Sequence, residues 1–169
     1  VVITGELVIC AGGSTQLTAS GVTGGTYQWN TGVGGNTITV STAGTYTVTA
    51  TYGNGCTSTA SVTVVVNPKP TVTMTSSRGE SICPGESTIL KASAGQSYLW
   101  TPGNYTSQSI TVSPAVQTQY TVEVVDANGC KGTATKTISI KTIPAADITG
   151  PTVSCAGEPV ELIASGGSV

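Results

Sequence analysis

Cysteine recurs on a fixed beat along this chain. Cys-x-Gly begins a block at Cys10, Cys83 and Cys155, and Asn-Gly-Cys closes one at Cys56 and Cys130, so matching cysteines lie 72 to 74 residues apart. Between them Trp29 is answered by Trp100 and Tyr46 by Tyr120, in the same order. A period this long exceeds a solenoid unit and marks repetition of whole small domains. Leu162-Ile163-Ala164 is the third counterpart of Leu17-Thr18-Ala19 and Leu90-Lys91-Ala92. The 169 residues therefore divide into a first repeat over 1–68, a second over 71–142 and the beginning of a third over 145–169. The parent protein is expected to be longer. Units of about 70 residues bury modest cores and call for help from disulfides or neighbouring repeats.

Thr-Val alternation with period two dominates, as in Thr45-Tyr46-Thr47-Val48-Thr49-Ala50 and Ser61-Val62-Thr63-Val64. That pattern makes antiparallel strands with one wet face, and no ten-residue stretch carries helical periodicity. In the first repeat strands are expected near Val1–Thr4 and over Leu7–Ile9, Thr15–Ala19, Thr26–Trp29, Asn36–Val40, Thr45–Thr51 and Ser58–Val66. In the second they fall over Val72–Thr75, at Ile82, and over Thr88–Ala92, Ser97–Trp100, Ser109–Val112, Gln119–Val125 and Thr133–Ile140. About seven strands per repeat is the count of a small sandwich. Asn67-Pro68-Lys69-Pro70 and Thr142-Ile143-Pro144 read as short, stiff joints, because proline cannot donate to a ladder. The expected fold is all-β, with small sandwiches arranged end to end.

Composition narrows function by exclusion. Charged residues are 8% of the chain, histidine is absent and the net charge is −2, with no basic cluster to hold phosphates. Nucleic acid is not an expected partner. Five cysteines outside any zinc-type spacing point to disulfides and an extracellular, oxidising setting. The longest apolar run, Leu7 to Ala11, falls far short of the roughly 20 residues of a membrane helix.

The residues resemble the immunoglobulin superfamily across both repeats. Ser14-Thr15-Gln16-Leu17-Thr18-Ala19 is similar to a B strand, Tyr27-Gln28-Trp29 to a C strand with its core tryptophan, and Gly44-Thr45-Tyr46-Thr47-Val48 to an F strand. The resemblance implies a tyrosine corner at Tyr46 and Tyr120. It departs at the inter-sheet disulfide, where Ala19 with Val48 and Ala92 with Val122 stand instead, so Trp29 and Trp100 would pack on aliphatics. The succession Cys-x-Gly-x-Ser-x-x-Leu-Thr-Ala, Tyr-x-Trp, Gly-Thr-Tyr-Thr-Val and Asn-Gly-Cys also resembles the Ig-like and PKD-like repeats of giant Bacteroidota cell-surface adhesins, the gliding-motility adhesins among them. That resemblance implies type IX export and a place in long surface filaments.

Two disulfide pairings remain open. An internal one joins Cys10 to Cys56 and Cys83 to Cys130. Immunoglobulin topology disfavours it, because the turn into strand B and the F–G hairpin occupy opposite ends of a sandwich. A strand of six to eight residues spans roughly 20 to 25 Å, whereas the Cα atoms of a cystine lie within about 7 Å. The preferred pairing is between repeats, Cys10 with Cys130, leaving Cys56, Cys83 and Cys155 to partners outside the segment.

No catalytic residue stands out. Without histidine a Ser or Cys nucleophile lacks its usual base, and Glu80, Glu86, Glu158 and Glu161 fall around turns and strand B as solvated charges. Asp126, Asp147 and Glu158 flank loops without a calcium-loop motif, which leaves room only for a weak interdomain calcium ion. Asp126-Ala127-Asn128-Gly129 reads as a hairpin turn whose Asn-Gly supplies positive φ. Gly24-Gly25 and Gly32 to Gly35 read as turns. Tyr52 and Tyr105 are the candidates for exposed contact. The functional expectation is a non-enzymatic stalk of a surface adhesin, partnered by neighbouring repeats, with any glycan or protein ligand at a distant tip. A glycan- or protein-binding module, or a spacer in a secreted polysaccharide-degrading enzyme, is the alternative.

Overall fold

A computed structural model describes residues 1–166. Among these the chain forms strands and no helix. The first seven are β1 (Val2–Thr4), β2 (Val8–Cys10), β3 (Thr15–Ser20), β4 (Thr26–Trp29), β5 (Thr37–Val40), β6 (Gly44–Thr51) and β7 (Thr57–Asn67). They build one sheet in the order β1-β3-β5 and a second in the order β2-β7-β6-β4. The next seven are β8 (Met74–Ser76), β9 (Ser81–Ile82), β10 (Thr88–Ala92), β11 (Ser97–Thr101), β12 (Ser109–Val112), β13 (Thr118–Val125) and β14 (Lys131–Ile140). They repeat the plan as β12-β10-β8 and β11-β13-β14-β9. Each set encloses its own apolar core, which makes two Ig-like β-sandwiches.

Alternation along the strands sets the two faces. In β6 Tyr46, Val48 and Ala50 are buried while Thr45, Thr47, Thr49 and Thr51 point the other way. Trp29, Tyr46, Ala19 and Val48 join the first core, and Trp100, Tyr120, Ala92 and Val122 the second. The tryptophans do pack among aliphatic residues, each with its indole N–H satisfied: Trp29 Nε1 donates to Gly35 O (3.0 Å) and Trp100 Nε1 to Ser107 O (2.8 Å). Burial of such a large side chain needs this, because an orphaned donor would cost about 1–3 kcal/mol.

The opening strand of each repeat changes sheets partway. β1 pairs antiparallel with β3, and β2, a few residues on, pairs parallel with the far end of β7. Gly5, with φ 150°, makes the crossing, and a Cβ there would stand 2.5 Å from Gln16 O. In the second repeat β8 and β9 divide in the same way, and β9 pairs parallel with β14.

A last pair, β15 (Asp147–Thr149) and β16 (Ile163–Ser165), reproduces the β1–β3 register residue for residue, with Ile148 opposite Ala164 as Ile3 is opposite Ala19. The described residues of both strands are exposed. The final residues of the third block, 167–169, lie outside the described part.

Candidate functional site

Two kinds of turn present the cysteines. Cys-x-Gly is a type II turn: Gly13 N donates to Cys10 O (2.8 Å), Glu86 N to Cys83 O (3.1 Å) and Glu158 N to Cys155 O (3.2 Å). Its third position requires positive φ, which Gly12, Gly85 and Gly157 supply at 83°, 81° and 91°. Pro84 presets the second position in the middle repeat. The other kind is the hairpin between β6 and β7 and between β13 and β14. Asp126 Oδ1 accepts from Asn128 N and Cys130 N, both at 2.8 Å, and Gly129 N returns to Asp126 O (3.1 Å). Positive φ falls on Gly129 (78°) and on its counterpart Gly55 (84°), so glycine alone, without its asparagine, carries the left-handed residue.

Cys10 and Cys130 form a disulfide with a Cα separation of 5.5 Å across 120 residues of sequence. It ties the end of β2 in the first sandwich to the β13–β14 hairpin of the second. The internal alternative does not fit this geometry. Cys10 lies opposite Asn67 at one end of β7 while Cys56 precedes Thr57 at the other. The eleven residues of β7 span roughly 36 Å, against the 7 Å that a cystine allows. β14 separates Cys83 from Cys130 in the same manner. Cys130 is fully buried, and the thiols of Cys56, Cys83 and Cys155 are exposed.

The surroundings of the disulfide are close-fitting. Any Cβ on Gly132 would run into Pro70 O, and would come within 2.9 Å of Val72 Cγ2, so the linker lies directly on β14. Beside the disulfide is an open groove of about 360 Å³ edged by Gly12, Gly13, Lys69, Gly129 and Lys131. Lys131 is held on its own sandwich by Glu123 (2.8 Å).

Glu80 and Glu86, expected as solvated charges, each find a cation. Lys136 Nζ donates to Glu80 Oε1 and Arg78 Nη1 to Glu86 Oε1, both at 2.6 Å. The Lys136 hydrogen bond, then its charge, holds the Glu80 carboxyl below the ordinary glutamate range. For Glu86 the Cys83 backbone N–H is the larger cause, followed by Arg78. Asp126 is engaged in its turn, Asp147 lies in β15 and Glu158 in the last Cys-x-Gly turn. Among the described residues no three His, Cys, Asp or Glu side chains gather as a metal site, and no helix is long and apolar enough to cross a membrane.

The tyrosine corner divides between the repeats. Tyr46 Oη donates to Thr42 O (2.9 Å), closing the corner. At the matching place Val116 O accepts instead from Thr118 Oγ1 (2.9 Å), and among the described residues nothing meets the Tyr120 hydroxyl. The resemblance implied both corners; the structure closes one. Tyr52 and Tyr105 lie in loops, 36% and 46% exposed.

No protein-family model matches the chain, and no curated protein does. Solved structures do. The three N-terminal domains of the highly immunogenic outer capsid protein of bacteriophage RB49 match over 99% of this chain and 69% of theirs, with 16% identity and a TM-score of 0.45. A Ca2+-stabilized adhesin that helps an Antarctic bacterium reach out and bind ice matches over 90% of this chain at 19% identity and a TM-score of 0.47; the match spans about half of that chain, 52%. A segment of a 1.5-MDa bacterial ice-binding adhesin matches over 89% of this chain and 69% of its own, at 19% identity and a TM-score of 0.39. The class reached, that of all-β, Ig-like sandwich domains, rests on the strand order and the two cores of the chain itself.

Proposed function

We propose that this chain is a stretch of the shaft of a secreted cell-surface adhesin, whose Ig-like repeats follow one another end to end and are stapled at their joints. The observation that carries the reading is the Cys10–Cys130 disulfide, which closes a connection that otherwise consists of the short segment Pro68-Lys69-Pro70. A linker plus a cystine gives two attachment points, and two points resist hinge bending as one cannot. The same rule, continued, assigns Cys56 to a preceding repeat and Cys83 and Cys155 to the hairpins of later ones. Thr- and Ser-rich outer faces keep such a shaft hydrated with little charge. Its role is reach and stiffness in surface adhesion or gliding motility, with type IX export as the resemblance implies, and it has no catalytic part.

Residual dipolar couplings test the stiffness. With the disulfide formed, the amides of both sandwiches are expected to fit one alignment tensor. With Cys10→Ser and Cys130→Ser they are expected to need two of unequal magnitude. Two tensors in the oxidised protein would overturn the proposal of a rigid joint.

A further inference from the structure

We propose that the second sandwich carries a binding site for a single neutral sugar ring, in the cleft between Tyr105 and Tyr120. The inference stands apart from the shaft reading, since a shaft needs no ligand and a sugar site needs no staple.

The cleft measures about 290 Å³ and lies where the loop after β11 faces the end of β12 and the start of β13. Tyr120 forms part of its lining. That residue is 6% exposed, yet its hydroxyl makes no hydrogen bond among the described residues, and the carbonyl that would close the corner accepts from Thr118 instead. The ring is buried but the hydroxyl opens on the cleft, where a phenol that makes no bond to the protein can donate to and accept from a ligand. Burial, and next the Tyr105 phenol, push the Tyr120 hydroxyl above its ordinary range, so it keeps its proton and can donate at neutral pH.

Tyr105 supplies an aromatic wall. Its ring lies against Gly103, where a Cβ would collide with Cε2 and Cδ2, and its backbone carbonyl accepts from Trp100 N (2.9 Å). The ring is thereby fixed from below while nearly half of the residue remains in solvent. Thr111 and Ser113 add exposed hydroxyls at the rim, Pro102 an apolar edge, and tyrosine phenols are the only ionisable groups lining the cleft.

These features match one ligand chemistry. A pyranose offers an apolar C–H face to an aromatic ring and hydroxyls to a phenol, a serine and a threonine, and a neutral one requires no counter-charge. The volume sits at the small end of ligand sites, enough for one ring and too little for a larger organic ligand. The first sandwich lacks the arrangement: Val33 replaces Tyr105 as the carbonyl partner of the core tryptophan, and Tyr46 spends its hydroxyl on Thr42. The cleft also avoids the joints. β11 is one edge of its sheet and β9, which leads into Cys83, is the other, three strand spacings or about 14 Å away.

Amide chemical-shift titration of the whole chain with methyl α-glucopyranoside, methyl α-mannopyranoside, methyl β-galactopyranoside and N-acetylglucosamine, each at millimolar concentration, tests the site. At least one sugar is expected to give saturable shifts centred on Gly103, Tyr105, Thr111, Ser113 and Tyr120. Tyr105→Ala should abolish them, Tyr120→Phe should weaken binding about fivefold by removing one hydrogen bond, and Tyr46→Phe should leave binding unchanged. The variants' own spectra report whether each is folded. Silence from all four sugars, shifts centred elsewhere, or shifts that survive Tyr105→Ala would each overturn the proposal.

Discussion

At the scale of single residues, the two repeats serve as each other's controls. Tyr46 and Tyr120 are buried to almost the same extent, 7% and 6% exposed, but only Tyr46 uses its hydroxyl on the protein. Tyr46→Phe is therefore expected to cost its sandwich about 1 kcal/mol in urea unfolding, and Tyr120→Phe close to nothing in its own. Trp29→Ala or Trp100→Ala should cost about 3–5 kcal/mol, enough to unfold a domain of this size. The acidic residues give a pH signature. Glu80 and Glu86 have carboxyls held below the ordinary glutamate value of 4.5, so their contribution is present above that value and fades as pH falls through the lowered ones. Melting followed from pH 6 to pH 3 should show the second sandwich losing stability in that lower window. The Glu80→Gln and Glu86→Gln double variant should flatten the loss. Both pairs are at the surface, so the effect is small and salt weakens it.

At the scale of elements, alternating Thr and Val announce the strands because one side of each sheet is wet, and the observed bounds differ from the sequence expectation by a residue or two. Less legible is the splitting of the opening strand. Val1–Thr4 and Leu7–Ile9 look like ordinary antiparallel segments, and nothing local says that the second pairs parallel with β7. Gly5, whose φ only glycine tolerates, is the signal in retrospect. Cys-x-Gly was readable as a landmark but its cause is the type II turn, for which Pro84-Gly85 is the clearest local cue. The half-open second corner was not legible. It turns on which donor the Val116 carbonyl accepts, Thr118 in this case, and every residue has such a carbonyl. Gly132 yields a prediction at this scale. Gly132→Ala drives a methyl into Pro70 O and should destabilise the second sandwich by about 1–3 kcal/mol, measured by urea unfolding. Asp126→Ala removes the acceptor for two backbone N–H groups and should loosen the hairpin that carries Cys130, visible as faster amide hydrogen exchange at Asn128 and Cys130.

At the scale of the whole molecule, the pairing of cysteines decides whether the repeats are linked beads or one stapled shaft. Spacing alone admits both pairings. Topology separates them, because β7 and β14 hold the two cysteines of a repeat at opposite ends while the disulfide crosses from one sandwich to the other. A loop of 120 residues closed in this way is worth about 4–5 kcal/mol in the chain-entropy model, an upper figure for what Cys10→Ser with Cys130→Ser should remove. The most direct measurement is peptide mapping by mass spectrometry, without reduction and with thiols blocked at lysis, on the parent protein from its native surface. The stapled shaft predicts a peptide joining Cys10 to Cys130, and Cys83 joined to the hairpin cysteine of the repeat that follows. A peptide joining Cys10 to Cys56 would contradict it, and would leave each repeat closed on itself.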